Sequence, residues 1–214
     1  MQKQNKLPSI IPIFPLSNFI IFPNTTVPLN IFEPRYIQMI NDSMKSHRMI
    51  GMIQPKKSGE LKKPDLYEVG CIGKITSFNE TDDGRYLIII NGVSRFKIEE
   101  EIKSENLYRS CKVSYQNYIK DLEDKIEEFP IKDLDRIFKD LQNLFEKKGF
   151  MVDWSSLKKQ NFSNTLNTLS MASPFSLEEK QALLETKDLS TRKLRLEQIL
   201  KTYTLDDFSN KTLQ

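Results

Sequence analysis

The longest apolar stretch of the chain runs over residues 10–40, IIPIFPLSNFIIFPNTTVPLNIFEPRYIQMI, and five prolines cut it into short pieces. Proline lacks an N–H and fixes φ, so it belongs at strand edges and ends and in the first turn of a helix. The pattern predicts strands over 10–16 and 26–32. Between them lies an apolar connection, 19–22, ended by the turn signal Pro23-Asn24. A helix opens at Pro34 with Glu33 as its cap, and Tyr36, Ile37, Ile40 and Met44 share one face of it. It fades by Ser46-His47.

Residues 49–53, MIGMI, read as a strand ended by Pro55. The following 55–64, PKKSGELKKP, is polar, basic and bounded by prolines, the composition of a surface loop. Alternation resumes over 67–78, with a change of parity near Gly70 and Gly73, where glycine marks a bulge or a tight bend. Thr81-Asp82-Asp83-Gly84 signals a hairpin turn. Residues 86–90 form a continuous apolar run, the pattern of a strand buried on both faces. Asn91-Gly92, taken alone, signals a type I′ hairpin. Strands follow over 93–102 and 108–115. Six or more short strands with bends and a single early helix predict a small closed or nearly closed barrel.

Near residue 118 the period changes from 2 to 3.6. Ile131, Leu134, Ile137, Phe138, Leu141, Leu144 and Phe145 recur three and four apart, which predicts an amphipathic helix stopped at Lys147-Lys148-Gly149. Trp154 is expected to plug a core. A second helix is expected over 157–171. Ser176 and Glu179 form a capping box for a third helix, and Asp188 caps a fourth. The fold class is therefore α+β, with a barrel subdomain at 8–118, a helical subdomain at 119–203, and flexible tails at 1–7 and 204–214.

Composition narrows the chemistry. At 38% hydrophobic and 29% charged, the chain has material for a core. No run of about 18 apolar residues predicts a membrane span, and no secretory signal is legible at the start, so a cytoplasmic location is expected. The net charge of +3, with its surplus in residues 1–117, falls short of the strongly basic face of a dedicated nucleic-acid binder. Cys71 and Cys111, in strand-like apolar surroundings, read as free buried thiols. With one histidine far from both, they do not space as a zinc site.

Catalytic patterns are missing as well. There is no Gly-rich phosphate loop ending in Gly-Lys-Ser/Thr and no G-x-S-x-G elbow. His47 sits in a polar connection and reads as a surface residue. Glu99-Glu100-Glu101 and Asp82-Asp83 read as solvated charge, because neighbouring acids on a strand point to opposite faces. No catalytic residue, metal ligand or cofactor is expected.

Several segments together resemble one family. They are PIFPL, IFP, VPL and FEPRYIQMI, then VGCIGKI and NGVSRFKI, then NTLSMASPFS, EKQALLE and RKLRL. In this order they are similar to the N-terminal, substrate-binding domain of Lon-type ATP-dependent proteases, over roughly residues 8–203. The resemblance implies a PUA-like barrel, and at Asn91-Gly92 a bulge within one bent strand instead of a hairpin. The name PUA-like describes a fold and carries no RNA binding with it. A full-length Lon protease adds an ATPase module and a serine–lysine protease module, and neither has a counterpart in these residues. The expectation is a stand-alone, non-enzymatic bacterial protein. It would bind unfolded polypeptide or a partner protein as an adaptor linked to quality control, and would self-associate. The alternative is a small-ligand or nucleic-acid-binding PUA-like module, supported by the positive surplus and the lysine-rich loop.

The candidate contacts follow the same motifs. Glu33, Arg35 and Tyr36 match the F-E-x-R-Y segment and are expected at the rim of a groove between barrel and helices. Arg95, with Phe96, matches an Arg-Phe position. Phe19 and Phe22 lie on the apolar connection, and Phe150 and Trp154 lie between helices. Each has a structural alternative: Glu33 as a cap, Arg35 paired to a carboxylate, Tyr36 packed, and the apolar residues in the chain's own core.

Overall fold

The computed structural model describes residues 7–57, 63–123 and 129–211 and divides between Asp124 and Lys125 into two units. In the first unit, strand β1 (Ile10–Pro15) lies parallel to β3 (Met49–Ile53) and antiparallel to β6 (Arg109–Ser114). The long strand β5 (Tyr86–Ile102) pairs with β2 (Thr26–Ile31) and β4 (Val69–Glu80) over its first half, and with β4 and β6 over its second. The order β2-β5-β4-β3-β1-β6 therefore closes through β5 and β6, and β2 is an edge strand. Inside the closure sit Ile11, Ile13, Ile53, Ile72, Phe96 and Cys111. Both cysteines are free and buried, and burial raises both thiols, that of Cys111 to about 11.

Residues 86–102 form one bent strand, with no hairpin at Asn91-Gly92. Gly73 pairs with Gly92 and Ile72 with Ser94, so Val93 is the extra residue of a bulge. Glycine is required at 92 because a Cβ there would run into the carbonyl oxygen of Phe22. The Gly92 N–H donates to the Thr25 carbonyl (2.8 Å), and the Gly92 carbonyl accepts from the Asn24 N–H (2.9 Å). The 19–22 connection is thereby latched to the bend.

One strand expectation is corrected. Residues 86–90 are not buried on both faces. Tyr86, Ile88 and Ile90 point inward, while Leu87 and Ile89 are 46% and 38% exposed. The outer face of the β2–β5–β4 ladder is a surface, and an apolar run alone does not reveal which face a partner layer covers.

Helix α1 (Pro34–Met44) follows β2 and buries Tyr36, Met39, Ile40 and Ser43. Glu33 occupies the N-cap position but makes no side-chain capping bond; its carboxylate turns to Arg35. The unit ends in a 3-10 segment, Gln116–Leu122, whose Tyr118 is buried. This segment belongs with the barrel, which moves the division from the expected 118/119 to 124/125. Residues 1–6 of the expected N-terminal tail, 58–62 of the lysine-rich loop, and the charged 124–128 lie outside the described residues.

In the second unit a 3-10 turn, Ile131–Leu134, leads into α2 (Asp135–Lys147), which buries Ile137, Phe138, Leu141, Leu144 and Phe145. The single helix expected over 157–171 is two, α3 (Trp154–Lys158) and α4 (Phe162–Ala172). Asn161 restarts the chain by accepting the Asn164 N–H at 2.8 Å, which is the role of an N-cap. The capping box of Ser176 and Glu179 opens α5 (Leu177–Leu184). Asp188 Oδ1 accepts the Thr191 N–H (2.8 Å) at the start of α6 (Leu189–Lys211). A frayed tail from 204 was expected, yet α6 continues to Lys211; residues 212–214 lie outside the described residues. Arg192 is 3% exposed and donates to Asn167 Oδ1 (2.6 Å). Among the described residues no helix is long and apolar enough to cross a membrane.

Candidate functional site

One end of the barrel unit opens into a cavity of about 570 Å³, within the roughly 300–1,000 Å³ range of small-ligand sites. Its wall is built from five places in the sequence. Ile13 and Pro15 lie in β1, Arg35 and Tyr36 stand in the first turn of α1, Pro55 opens the lysine-rich loop, Lys63 and Pro64 end it, and 101–104 with 106–109 run from the end of β5 to the start of β6. Proline at 15 ends a ladder strand, and proline at 34 starts α1, so the chain turns twice at this rim. The β5–β6 link is tied to α1 by two bonds. The Leu107 N–H donates to Gln38 Oε1 (3.0 Å) and the Tyr108 hydroxyl to Asp42 Oδ2 (3.0 Å).

The charges are ordered. Arg109 Nε and Nη2 grip both oxygens of Glu101 (3.1 and 2.8 Å), and its Nη1 donates to the Pro64 carbonyl (2.6 Å). Lys63 Nζ reaches Glu101 Oε1 at 3.0 Å. Burial pushes the Glu101 carboxyl up, but the hydrogen bonds from Arg109 and Lys63 outweigh it and hold the group below the usual carboxylate range. Glu101 is thus half-buried structural charge, not the solvated charge expected of the Glu99-Glu100-Glu101 run. Arg35 Nε and Nη2 both meet Glu33 Oε2 (2.9 and 2.7 Å), and the guanidinium lies 4.5 Å over the Tyr36 ring. Tyr36 is 6% exposed and edge-on to Phe14. Burial raises its hydroxyl, against the lowering charge of Arg35.

The predicted contacts separate into three groups. Arg35 and Tyr36 line the cavity, with Glu33 held behind Arg35. Phe22 is fully buried and Arg95 is 2% exposed, so neither offers a surface to a partner; Phe22 packs under the bend at Gly92, and Arg95 is committed to Asp121. Phe19 is half-buried. In the helical unit, Trp154 is edge-on to Phe138 and Phe145, with ring centroids 6.2 and 5.6 Å away. Phe150 is 53% exposed and Met151 99% exposed.

Lys63, Glu101, Tyr108 and Arg109 were missed as site residues. They are far apart in sequence and come together only because β5, β6 and the loop end meet at one rim. The one local signal was Glu101, an acid on a strand near its end. Among the described residues no group of three or more His, Cys, Asp or Glu side chains is placed to hold a metal ion.

Residues 10–202 match the family model described as the ATP-dependent protease La (LON) substrate-binding domain. A Lon protease of Cytophaga hutchinsonii is 28% identical over 205 residues, 92% of this chain and 24% of that protein. A Lon protease of Malacoplasma penetrans is 36% identical over 185 residues, 81% of this chain and 23% of that protein. The chain thus spans about a quarter of the length of the curated relatives it matches. A solved Lon N-terminal domain protein from Xanthomonas campestris shares the fold, with a TM-score of 0.61 at 22% identity over 91% of this chain and 98% of that one. The N-terminal domain of a Mycobacterium avium complex Lon protease does so with a TM-score of 0.60 at 18% identity, over 90% of this chain and 98% of that one.

Proposed function

We propose, from the premise that this chain belongs to the LON substrate-binding domain family of ATP-dependent protease La, that it is a non-catalytic module binding unfolded polypeptide. The observation that carries the reading is the family match across residues 10–202. The surface chemistry supports it. Phe32, Leu87 and Ile89 on the barrel unit, and Phe150 and Met151 on the helical unit, are large apolar side chains held in water. Exposed apolar side chains on either unit gain by covering the side chains of a non-native segment. Aromatic anchors would supply most of the affinity. Phe19, Glu33, Arg35, Tyr36, Phe150 and Trp154 remain the proposed contacts. In this reading the module works in the cytoplasm as an adaptor for protein quality control and self-associates.

A reduced, carboxymethylated protein serves as the unfolded probe, with binding followed by fluorescence anisotropy. The wild-type chain is expected to bind it with little loss between low and high salt. Phe150→Ser with Met151→Ser is expected to weaken binding about tenfold, as loss of a buried apolar anchor does, and to lower thermal stability only by the edge contact that Phe150 makes with Phe145. Binding that collapses with salt, and that an RNA oligomer competes away, would instead identify a nucleic-acid module. No binding to unfolded polypeptide at any salt would sink the proposal.

A further inference from the structure

We infer that the cavity at the barrel rim is a carboxylate-binding site, read out by the Tyr36 hydroxyl and flanked by Lys63 and Lys103. The inference rests on the polypeptide-binding reading and names which part of a polypeptide this cavity takes.

Tyr36 is 6% exposed and lines the cavity. Its hydroxyl has no hydrogen-bond partner among the described residues. The hydroxyl oxygen is not sealed from solvent, so it is a donor open to the cavity and able to bond a ligand acceptor there. Arg109 lines the same cavity.

The charge balance selects an anion. Arg35, Lys63, Lys103 and Arg109 line the cavity against the single carboxylate of Glu101. Even when Glu33 and Asp42 are added, which reach Arg35 and Tyr108 from behind, the positive charge exceeds the negative. The surplus is small, and the Arg109 fork is already filled by Glu101 and Pro64. A dianionic phosphate would therefore lack its usual bidentate partner. Lys63 is likewise engaged by Glu101, so a monoanion accepting one phenol hydrogen bond, in a cavity also lined by the ammonium of Lys103, fits. Lys103 is exposed and has no ion-pair partner among the described residues. Ile102, Leu107 and Pro15 in the same wall offer apolar surface to the residue that carries the carboxylate.

A carboxylate on a polypeptide has two sources, the chain terminus and an Asp or Glu side chain. The test is an NMR titration of the isotope-labelled full chain with three acetylated peptides of one short apolar sequence: the free acid, its C-terminal amide, and the amide with one leucine changed to glutamate. The free acid is expected to shift the backbone amides of Leu107 and Arg109, and to bind at least fivefold more tightly than its amide. Tyr36→Phe keeps the ring against Phe14 and is expected to weaken the acid about tenfold, the effect of removing a hydrogen bond to a charged acceptor. Lys103→Glu should weaken it about fivefold, an effect that fades with salt. Tighter binding of the glutamate peptide at the same amides assigns the site to side chains and also supports it.

Equal affinity for acid and amide, shifts elsewhere on the chain, or stronger binding of inorganic phosphate than of acetate would overturn the assignment. If unfolded polypeptide binds while the acid peptide does not, the carboxylate site falls and the general function stands. If the acid peptide binds here and unfolded polypeptide does not, the reverse holds.

Discussion

The guanidinium of Arg95 closes as a fork on the carboxylate of Asp121, with Nε on Oδ2 and Nη2 on Oδ1, both at 2.8 Å. The backbone N–H of Arg95 adds a third bond to Oδ2 at 2.9 Å, and the same guanidinium lies 4.2 Å over the ring of Tyr118. The Arg95 side chain is 3% exposed and that of Asp121 11%. This pair pins the 3-10 segment Gln116–Leu122 to β5, which is why the barrel unit extends past its last strand.

Breaking such a pair leaves one buried charge without its partner. Asp121→Ala is expected to cost about 3 kcal/mol in urea unfolding. Replacing both groups, Arg95→Met with Asp121→Leu, is expected to recover most of that loss, because no charge is then left stranded. A double variant as unstable as the single one would mean that the fork contributes more than charge compensation.

Gly92→Ala places a methyl group against the Phe22 carbonyl oxygen. The bend would have to open or the Thr25–Gly92 latch lengthen, at a cost of about 2 kcal/mol, as for overpacking in a core. A lowered thermal midpoint for Gly92→Ala checks this. An unchanged midpoint would show that the connection moves freely with the strand.

Burial, together with the hydrogen bond and charge of Asp42, pushes the Tyr108 hydroxyl up from 10.0 to about 12. A raised folded value favours the protonated, folded form. The stabilisation it represents is complete below pH 10 and is lost as pH rises through about 12. The tyrosinate absorbance of wild type minus that of Tyr108→Phe should titrate near the upper value, and Asp42→Asn should move it down. A titration at 10 in the wild type would refute the Asp42 contact.

Ser176 accepts the Glu179 N–H (3.2 Å), while Glu179 Oε2 accepts the Ser176 N–H (2.8 Å). Ser176→Ala is expected to cost about 1 kcal/mol, with Glu179→Ala somewhat less. The double variant should fall short of the sum, since the two bonds hold one helix start. Additive losses in chemical denaturation would argue against a reciprocal box.

Local patterns determined much of this protein. Proline spacing placed β1, β2 and the start of α1, because a missing N–H and a fixed φ act within one or two residues. The 131–145 periodicity placed the buried face of α2, and Ser176 and Asp188 marked two helix starts through bonds that span three residues. The motifs at 31–40 and 91–98 pointed to the family that the match over 10–202 establishes. What tertiary structure decided were contacts between residues far apart in the chain. Whether Leu87 and Ile89 are covered depends on which layers stack on β5, and apolar composition does not encode that. Phe22 and Arg95 carry motif signatures yet lie inside, since the bend at Gly92 and the carboxylate of Asp121 draw them in. The cavity joins Tyr36, Lys63, Glu101 and Arg109. No periodicity relates those four positions, because the closing of a barrel, and no local rule, sets their distances.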